Sequence, residues 1–356
     1  MLGAACGGQR AGPQRPCAAG TVSCVANSSR ASRPPAAVRT SPLGASDLEL
    51  ERVAAEILRL DPDGTRFAKA IRRSFDMLLD GQHTGRYRWD QLRKTEKAYC
   101  GTLIEINIQR ELDFADGLLM DYSIAGIDVD CKYSQDFGQW MLPPEALGEL
   151  CLGLWANDQK GLWSAGLFRV TETVLTSHNR DEKRRLTAAA RDSSVRWLYR
   201  DAELPDNMLL RLPEADIRAI FEDHPRSGQA RLNELLRRAQ GVRISRTVVA
   251  TVTTAEGDYM KRLRYNGGSR SQLRSEGIVI LGDYRTHAEI ARALHLPIPG
   301  AGDSVAVRLV RRKAHHGSAP AAQIEGDEWV VALPTDPVEP APMLPDAQGR
   351  SGGAQQ

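Results

Sequence analysis

The sequence predicts an α/β protein in two parts: a mixed sheet flanked by helices, then an α+β part containing a winged helix-turn-helix. Amphipathic helical runs come first and are followed by alternating and continuous apolar strands, the order expected of a helix-covered sheet. The second half changes to short helices, a glycine-rich loop and short β-rich runs. The length of 356 residues suits two domains with tails.

The composition is that of an ordinary globular protein, with 42% hydrophobic and 26% charged residues. No run approaches the roughly 18 apolar residues of a membrane span, so no membrane partner is expected. The net charge is only +2, so any nucleic-acid surface must come from local clustering. None of the six cysteines form a Cys-x-x-Cys pair, which argues against zinc sites and disulfide frameworks and favours a reducing cytoplasm.

Composition shifts divide the chain into five segments. The first 45 residues contain no Asp or Glu and too few large apolar residues to fold. A Pro-Asp-Asn run at 205–207 indicates a linker, and prolines with a Gly/Gln end indicate a disordered tail. The predicted segments are a disordered extension (1–45), a first domain (46–200), a linker (201–210), a second domain (211–335) and a disordered tail (336–356).

Three helices are expected before the first strands. Apolar residues recur at helical spacing in each, as with Phe67, Ile71 and Phe75. The predicted helices cover about 47–58, 65–79 and 89–109, the last with Asp90 as a possible N-cap. Glu105 lies on a face of the third helix that small and polar residues keep open, so this helix would deliver a carboxylate toward the following strands.

A hairpin is predicted from residues 120–124, an Ala-Gly turn at 125–126, and residues 127–133. Strand side chains alternate, so Asp130 and Lys132 share one face with Asp128, while the other face is apolar. With Asp121 across the turn, two carboxylates can converge on a divalent metal, and the lysine can contact a phosphate oxygen. Asp followed by Asp-x-Lys resembles the PD-(D/E)xK nucleases, although a solvated hairpin face can show the same alternation.

Further elements complete the predicted layout. Residues 150–155 and 162–170 read as central strands buried on both faces, and residues 181–198 read as a charged helix. In the second half the predicted elements are helices at 230–238, 258–265 and 287–294, a β-rich run at 244–252, a loop at 267–270, and strands at 277–281, 305–310 and 328–333.

The second half is locally basic. Between Arg226 and Arg274 there are 11 Lys/Arg against 3 Asp/Glu. A solvated charged surface is the simpler interpretation, but the arginines alternate with apolar helix positions beside a glycine loop. The candidates for contact with DNA phosphates or bases are Arg231, Lys261, Arg262 and Arg270.

Longer motifs along the chain are similar to the NaeI restriction endonuclease family, over roughly residues 46–340. They include Gly101-Thr-Leu-Ile-Glu105-Ile-Asn107, Trp140-Met-Leu-Pro-Pro-Glu145, Lys183-Arg-Arg-Leu-Thr187, Gly228-Gln-Ala-Arg-x-Asn-Glu-Leu235, Tyr259-Met-Lys-Arg262 and Gly277-Ile-x-Ile-Leu-Gly282. The resemblance implies a restriction-endonuclease-like first domain and a second, DNA-binding domain related to catabolite activator protein.

The resemblance also implies the chemistry. It implies a bacterial, cytoplasmic, Mg²⁺-dependent homodimer that cuts a palindromic GC-rich site, expected to be GCCGGC, with a second DNA copy bound as activator. The family's catalytic residues fall on Glu105, Asp121, Asp130 and Lys132. Asp121, Asp130 and Glu105 would serve the metal, and Lys132 would orient water or offset phosphate charge. Asp128 is interpreted as an extra surface carboxylate.

Two other motifs are weighed and set aside. Leu78, Asp80 and Gly81 fall in a stretch similar to the Lys-x-Asp-Gly-x-Arg motif of DNA ligases, but leucine replaces the nucleophilic lysine, so no covalent adenylate can form. The pair at 315–316, two histidines in a loop with no other ligand nearby in sequence, is not expected to bind metal. The alternatives that remain are a repair or junction nuclease and a non-catalytic winged-helix regulator.

Overall fold

The computed structural model describes residues 47–223, 227–254 and 257–345. The predicted extension over 1–45 lies outside these ranges. The helices are α1 Leu48–Leu60, α2 Thr65–Leu79, α3 Gly81–Thr84, α4 Lys94–Leu112, α5 Ala188–Ser193, α6 Glu214–Phe221, α7 Gly228–Arg238, α8 Arg246–Thr253, α9 Ser269–Gln272 and α10 Arg285–Ala293. The strands are β1 Ala115–Asp116, β2 Tyr122–Ile124, β3 Ile127–Ser134, β4 Leu150–Asn157, β5 Leu162–Arg169, β6 Arg196–Glu203, β7 Arg243–Ile244, β8 Ile278–Gly282, β9 Ser304–Arg311, β10 Ala321–Ile324 and β11 Asp327–Val331.

The first sheet contains six strands in the order β1-β2-β3-β4-β5-β6. All neighbours are antiparallel except β3 and β4, which run parallel. A parallel pair needs a long crossover, and residues 135–149 provide it with an irregular segment containing one 3₁₀ turn. The predicted mixed α/β sheet is therefore confirmed for the first part of the chain.

Strands β4 and β5 are buried on both faces, as predicted. Leu152 and Leu154 belong to a core with Phe67 and Ile104 from the helices on one side. Cys151 and its neighbours face a second cluster around Trp140 on the other side. Burial on both sides explains why these strands read as continuous apolar runs.

The first two predicted helices are confirmed. Asp47 caps α1 by accepting a hydrogen bond from the Leu50 amide at 3.1 Å. The third helix starts later than predicted, at Lys94. The backbone N–H of Arg93, the residue before this helix, donates a hydrogen bond to the Glu96 carboxylate at 2.8 Å. Asp90 lies in a separate 3₁₀ turn. Asp90 as N-cap was therefore wrong.

The charged helix predicted over 181–198 was wrong. Only α5 is helical there, and β6 begins at Arg196. Pairing of β6 with β5 buries Tyr199 in the first core, and this tertiary gain outweighs local helix propensity. The expected linker over 201–210 contains the end of β6 and places Met208 and Leu209 in the core of the second half.

The second sheet is organised around β9. This strand pairs antiparallel with β7, β8 and β11, and β10 pairs with β11. The predicted strands near 277–281, 305–310 and 328–333 and the helix near 287–294 are confirmed. The β-rich prediction for 244–252 was wrong, because this segment forms α8, whose Val249 and Val252 pack against Leu232 and Leu236 of α7. The basic helix expected over 258–265 is a short 3₁₀ turn.

The disordered tail predicted over 336–356 was wrong for residues 336–345. Residues 336–345 are described and pack onto the second sheet, where Ala341 and Leu344 join a core with Trp329. The Ala341 amide also donates to the Arg274 carbonyl at 2.8 Å. Apolar residues between the prolines explain this packing, which composition alone did not reveal. The remainder of the tail lies outside the described residues.

No helix in the described part of the chain is long and apolar enough to cross a membrane.

A buried histidine predicts a pH-dependent stability. His287 on α10 accepts a hydrogen bond at Nδ1 from the Gly282 amide at 3.0 Å, and burial, aided by Arg270, lowers its pKa from 6.5 to about 4. The unfolded state therefore binds the proton more readily than the folded state. The contribution of neutral His287 to the unfolding free energy is fully present above pH 6.5 and is lost as the pH falls toward 4. Charging His287 should cost about 3 kcal/mol at pH 4. In His287→Gln, whose amide oxygen can accept the same bond, urea unfolding should show a flatter decline between pH 6.5 and 4.

Candidate active site

The β2–β3 hairpin fixes Asp121 beside the residues of β3. Ala125 and Gly126 have φ angles of 52° and 75°, which suit a two-residue turn with the twist that hairpins require. Asp121 directly precedes β2, and its Oδ2 accepts a hydrogen bond from the Cys131 backbone N–H at 2.7 Å. The carboxylate of Asp121 is therefore held next to the two β3 residues that flank Cys131.

Those two residues, Asp130 and Lys132, form a close ion pair. The Lys132 Nζ lies 2.5 Å from Asp130 Oδ1 and 3.6 Å from Asp121 Oδ2. It also donates to the Cys131 carbonyl at 2.9 Å. One ammonium therefore connects two of the three predicted catalytic carboxylates, Asp121 and Asp130.

Asp130 is the most buried member of this group, with 5% of its surface exposed. Burial raises its pKa to about 6, against the opposing charge of Lys132. Its Oδ2 is buried and has no hydrogen-bond partner among the described residues. Burial also disfavours the charged form of Lys132, but Asp130 and Asp121 outweigh this and hold the pKa of Lys132 above its ordinary value.

Glu105 reaches the same neighbourhood from α4. Its backbone carbonyl accepts a hydrogen bond from the Tyr122 hydroxyl at 2.8 Å, which ties the helix to β2. The side chain is half-buried. Burial, followed by the negative charge of Asp121, raises its pKa to about 7, with Lys132 opposing. Glu105 therefore lies within electrostatic reach of the hairpin groups.

The three carboxylates do not form one tight shell. Within the described residues, the group of three His, Cys, Asp or Glu side chains close enough to share an ion is His315, His316 and Asp336, and Glu105, Asp121 and Asp130 do not form such a group. Lys132 contacts both Asp121 and Asp130, so these two carboxylates are the candidate ligands for a divalent metal in the hairpin. Glu105 lies near enough to interact with them electrostatically.

Asp128 has a structural role that the sequence did not indicate. Its Oδ1 accepts from the Leu118 amide at 3.0 Å, and its Oδ2 accepts from the amides of Leu119 at 2.7 Å and Met120 at 3.3 Å. Burial opposes the charged form, but these three bonds lower the pKa of Asp128. The carboxylate fixes the loop that leads into Asp121 and is more than an extra surface charge.

Arg231, a predicted DNA contact, is buried inside the second half. Its Nε donates to the Val252 carbonyl at 2.6 Å, and Nη2 donates to the Thr253 carbonyl at 3.2 Å and to the Thr254 hydroxyl. The two carbonyls belong to the last turn of α8, where backbone acceptors lack partners within the helix. The guanidinium therefore closes the end of α8.

The other three predicted DNA contacts differ in accessibility. Arg270 is half-buried and donates from Nε to the Ile280 carbonyl at 3.0 Å. Arg262 is half-buried, while Lys261 is exposed in the 3₁₀ turn. Lys261 is the most accessible of the four, and DNA contact by any of them stays a prediction.

The ligase-like turn packs the two halves together. Leu78 is buried in the first core, and Asp80 has a φ of 47° at the end of α2. A Cβ on Gly81 would lie 2.1 Å from the Thr251 Oγ1 of α8. Only glycine fits this contact, so the motif is explained by packing.

The two histidines at 315–316 do have another potential ligand nearby, contrary to the expectation. Asp336 accepts from His315 Nε2 at 2.7 Å and from His316 Nε2 at 3.0 Å. His316 Nδ1 accepts the Lys313 backbone N–H at 2.8 Å, so its single proton is on Nε2. Both nitrogens of His316 are used in hydrogen bonds, and the cluster ties the 333–336 segment to the preceding loop.

Comparison with known proteins identifies the family of this chain. The family model for restriction endonuclease NaeI matches residues 51–340. The type II restriction enzyme NaeI of Lentzea aerocolonigenes is 48% identical over 305 residues, a match that covers 84% of this chain and 95% of that enzyme. The matched region contains the hairpin, α4 and both sheets. The chain therefore belongs to the NaeI family of type II restriction endonucleases.

Proposed function

We propose that this protein is a type IIE restriction endonuclease that makes Mg²⁺-dependent double-strand cuts at a palindromic GC-rich site, GCCGGC. In this proposal it acts as a homodimer and binds a second DNA copy as activator. Family membership supports the class of activity. The observation that carries the location of the site is the Lys132 ammonium lying within 3.6 Å of both Asp121 and Asp130.

The donor set fits a magnesium ion. Mg²⁺ binds through one or two carboxylates together with substrate phosphates and water. Asp121 and Asp130 supply hard oxygen donors. The buried Oδ2 of Asp130 accepts no hydrogen bond from the described residues, so it is available to bind a cation. When bound, the ion would polarise the scissile phosphate and lower the pKa of a water molecule.

Lys132 serves as an electrostatic group. Asp130 and Asp121 outweigh burial and hold the pKa of Lys132 above its ordinary value, which favours the charged ammonium. A protonated amine cannot accept a proton, but it can stabilise the negative charge that develops on the phosphate oxygens. We therefore assign charge stabilisation, not general base catalysis, to Lys132.

Glu105 is the better candidate for proton acceptance. Without a bound ion, burial raises its pKa to about 7, and a nearby Mg²⁺ would favour the charged form, which is the form that accepts a proton. Its position at the edge of the carboxylate pair would let it hold and orient the attacking water. This role requires no convergence of all three carboxylates on one ion.

The second half is proposed to be the winged-helix DNA-binding domain, over about 211–335. The order is α7, β7, α8, α9, β8, α10, β9, which is helix-strand-helix-helix-strand-strand with α10 inserted between the last two strands, and β9 pairs with both β7 and β8. In helix-turn-helix proteins the second helix of the motif lies in the major groove. The short α9 and the turn after it would take that place, with Lys261 and Arg262 beside it.

Cleavage of plasmid DNA in Mg²⁺ tests the proposal directly. A plasmid with GCCGGC sites should give discrete fragments that end within that sequence, and a plasmid without the site should stay intact. Preference for branched DNA would favour the junction nuclease, and binding without cutting would favour the regulator. Asp130→Asn, which keeps the shape of the side chain but removes its charge, is the matched inactive control.

The activator and the dimer have separate tests. A single-site plasmid should be cut slowly, and a short GCCGGC duplex added in trans should accelerate its cleavage. Sedimentation should give twice the 39.1 kDa chain mass. An unchanged rate with added duplex would contradict the activator model while leaving the nuclease assignment intact.

A further inference from the structure

Two exposed leucines lie two and three residues before Asp121 in the chain. The side chains of Leu118 and Leu119 are 89% and 57% exposed, the first being the most exposed large apolar residue in the described part of the chain. Residues 117–120, here called the leucine loop, join β1 to β2. Exposed apolar residues are common when scattered, but two adjacent ones beside a catalytic group call for a partner.

The leucine loop is rigidly built, although its tip is exposed. Asp128 accepts hydrogen bonds from three successive backbone amides, of Leu118, Leu119 and Met120. A Cβ on Gly117 would lie 2.4 Å from the Met120 carbonyl oxygen, so the turn requires glycine there. The β1–β2 pairing closes the base of the loop. The fold therefore fixes the leucines outward, so little conformational entropy remains to be lost on binding.

The position of the leucine loop indicates which molecule its exposed leucines would contact. Leu118 is three residues from Asp121, so their Cα atoms are at most about 11 Å apart. Base pairs stack every 3.4 Å or so, so a scissile phosphate at Asp121 places Leu118 within about three base steps. A duplex bound for cutting at Asp121 therefore lies within reach of the leucine loop. Apolar side chains are the type that proteins insert between base steps to unstack and kink DNA.

We propose that Leu118 and Leu119 form a wedge that contacts and unstacks base pairs next to the scissile phosphate. The proposal rests on the DNA-cutting function proposed above. Asp128 is then a positioning residue, which holds the wedge in register with Asp121. The unstacking selects for sequences that deform easily at that step and adds to direct base recognition.

A fluorescent base reports the unstacking. We would use GCCGGC duplexes that each carry one fluorescent analogue, pyrrolocytosine in place of a cytosine within the site or 2-aminopurine in place of an adenine in the first flanking pair, with Ca²⁺ replacing Mg²⁺. Binding of the wild-type protein should raise the fluorescence at one step. The double variant Leu118→Ala/Leu119→Ala should lose that rise and cut about tenfold or more slowly in single turnover. Leu118→Met/Leu119→Met, which keeps apolar volume, should restore both signals.

Controls separate the alternatives. Leu48→Ala, at a position 73% exposed on α1, should behave as wild type. A double-alanine variant with wild-type fluorescence and cleavage would overturn the wedge alone. One that sediments as a monomer would also overturn it, because the leucines would then cover a second copy of the chain. Wild-type protein that neither binds nor cuts GCCGGC would overturn the wedge and the proposed function together.

Discussion

Lys132→Ala is expected to cut DNA roughly 10²–10³-fold more slowly than the wild type, the usual loss when one preorganised charge-stabilising group is removed. The ammonium lies 2.5 Å from Asp130 and 3.6 Å from Asp121. Its removal leaves two carboxylates without their cation but leaves the hairpin hydrogen bonds in place. Single-turnover cleavage of a GCCGGC duplex measures the loss, and a gel-shift titration should show that DNA binding is retained.

Lys160→Ala provides the matched control for this prediction. Lys160 is exposed in the turn between β4 and β5 and carries the same charge. Its variant should cut at the wild-type rate. If Lys132→Ala cut equally fast, the assignment of charge stabilisation to Lys132 would be wrong.

Arg231→Met is expected to destabilise the protein more than it weakens DNA binding. The buried guanidinium satisfies acceptors at the end of α8, from Val252 to Thr254. Methionine fills much of the same volume but donates no hydrogen bond, so buried acceptors are left unsatisfied. The loss should be about 2–4 kcal/mol of unfolding free energy, measured by urea denaturation.

Lys261→Met gives the opposite pattern. This exposed lysine should leave the unfolding free energy within about 0.5 kcal/mol of wild type. If it contacts a phosphate, its loss should weaken DNA binding. The slope of the logarithm of the binding constant against the logarithm of the salt concentration should then fall by about one. An Arg231→Met protein with wild-type stability and weakened DNA binding would instead place Arg231 on the DNA surface.

The candidate site could be predicted largely because its signal is local. Period-two alternation puts Asp130 and Lys132 on one face, and the two-residue turn brings Asp121 next to them. The positions of Asp128 and Arg231 were not predictable in the same way. A carboxylate that binds three amides of an earlier loop, and an arginine that closes a later helix, depend on contacts that leave no periodic pattern in the chain.

By itself the sequence determined the elements whose hydrophobic period is strong: the first two helices, the hairpin, and the buried strands β4 and β5. Only the tertiary structure decided the segments with mixed signals. Charged residues at 196–203 became a strand because β5 presented an edge to pair with, and β-branched residues at 246–253 became a helix because α7 offered an apolar face. Local propensities differ by less than about 1 kcal/mol per residue, so burial against a partner element, which no short window contains, sets the outcome.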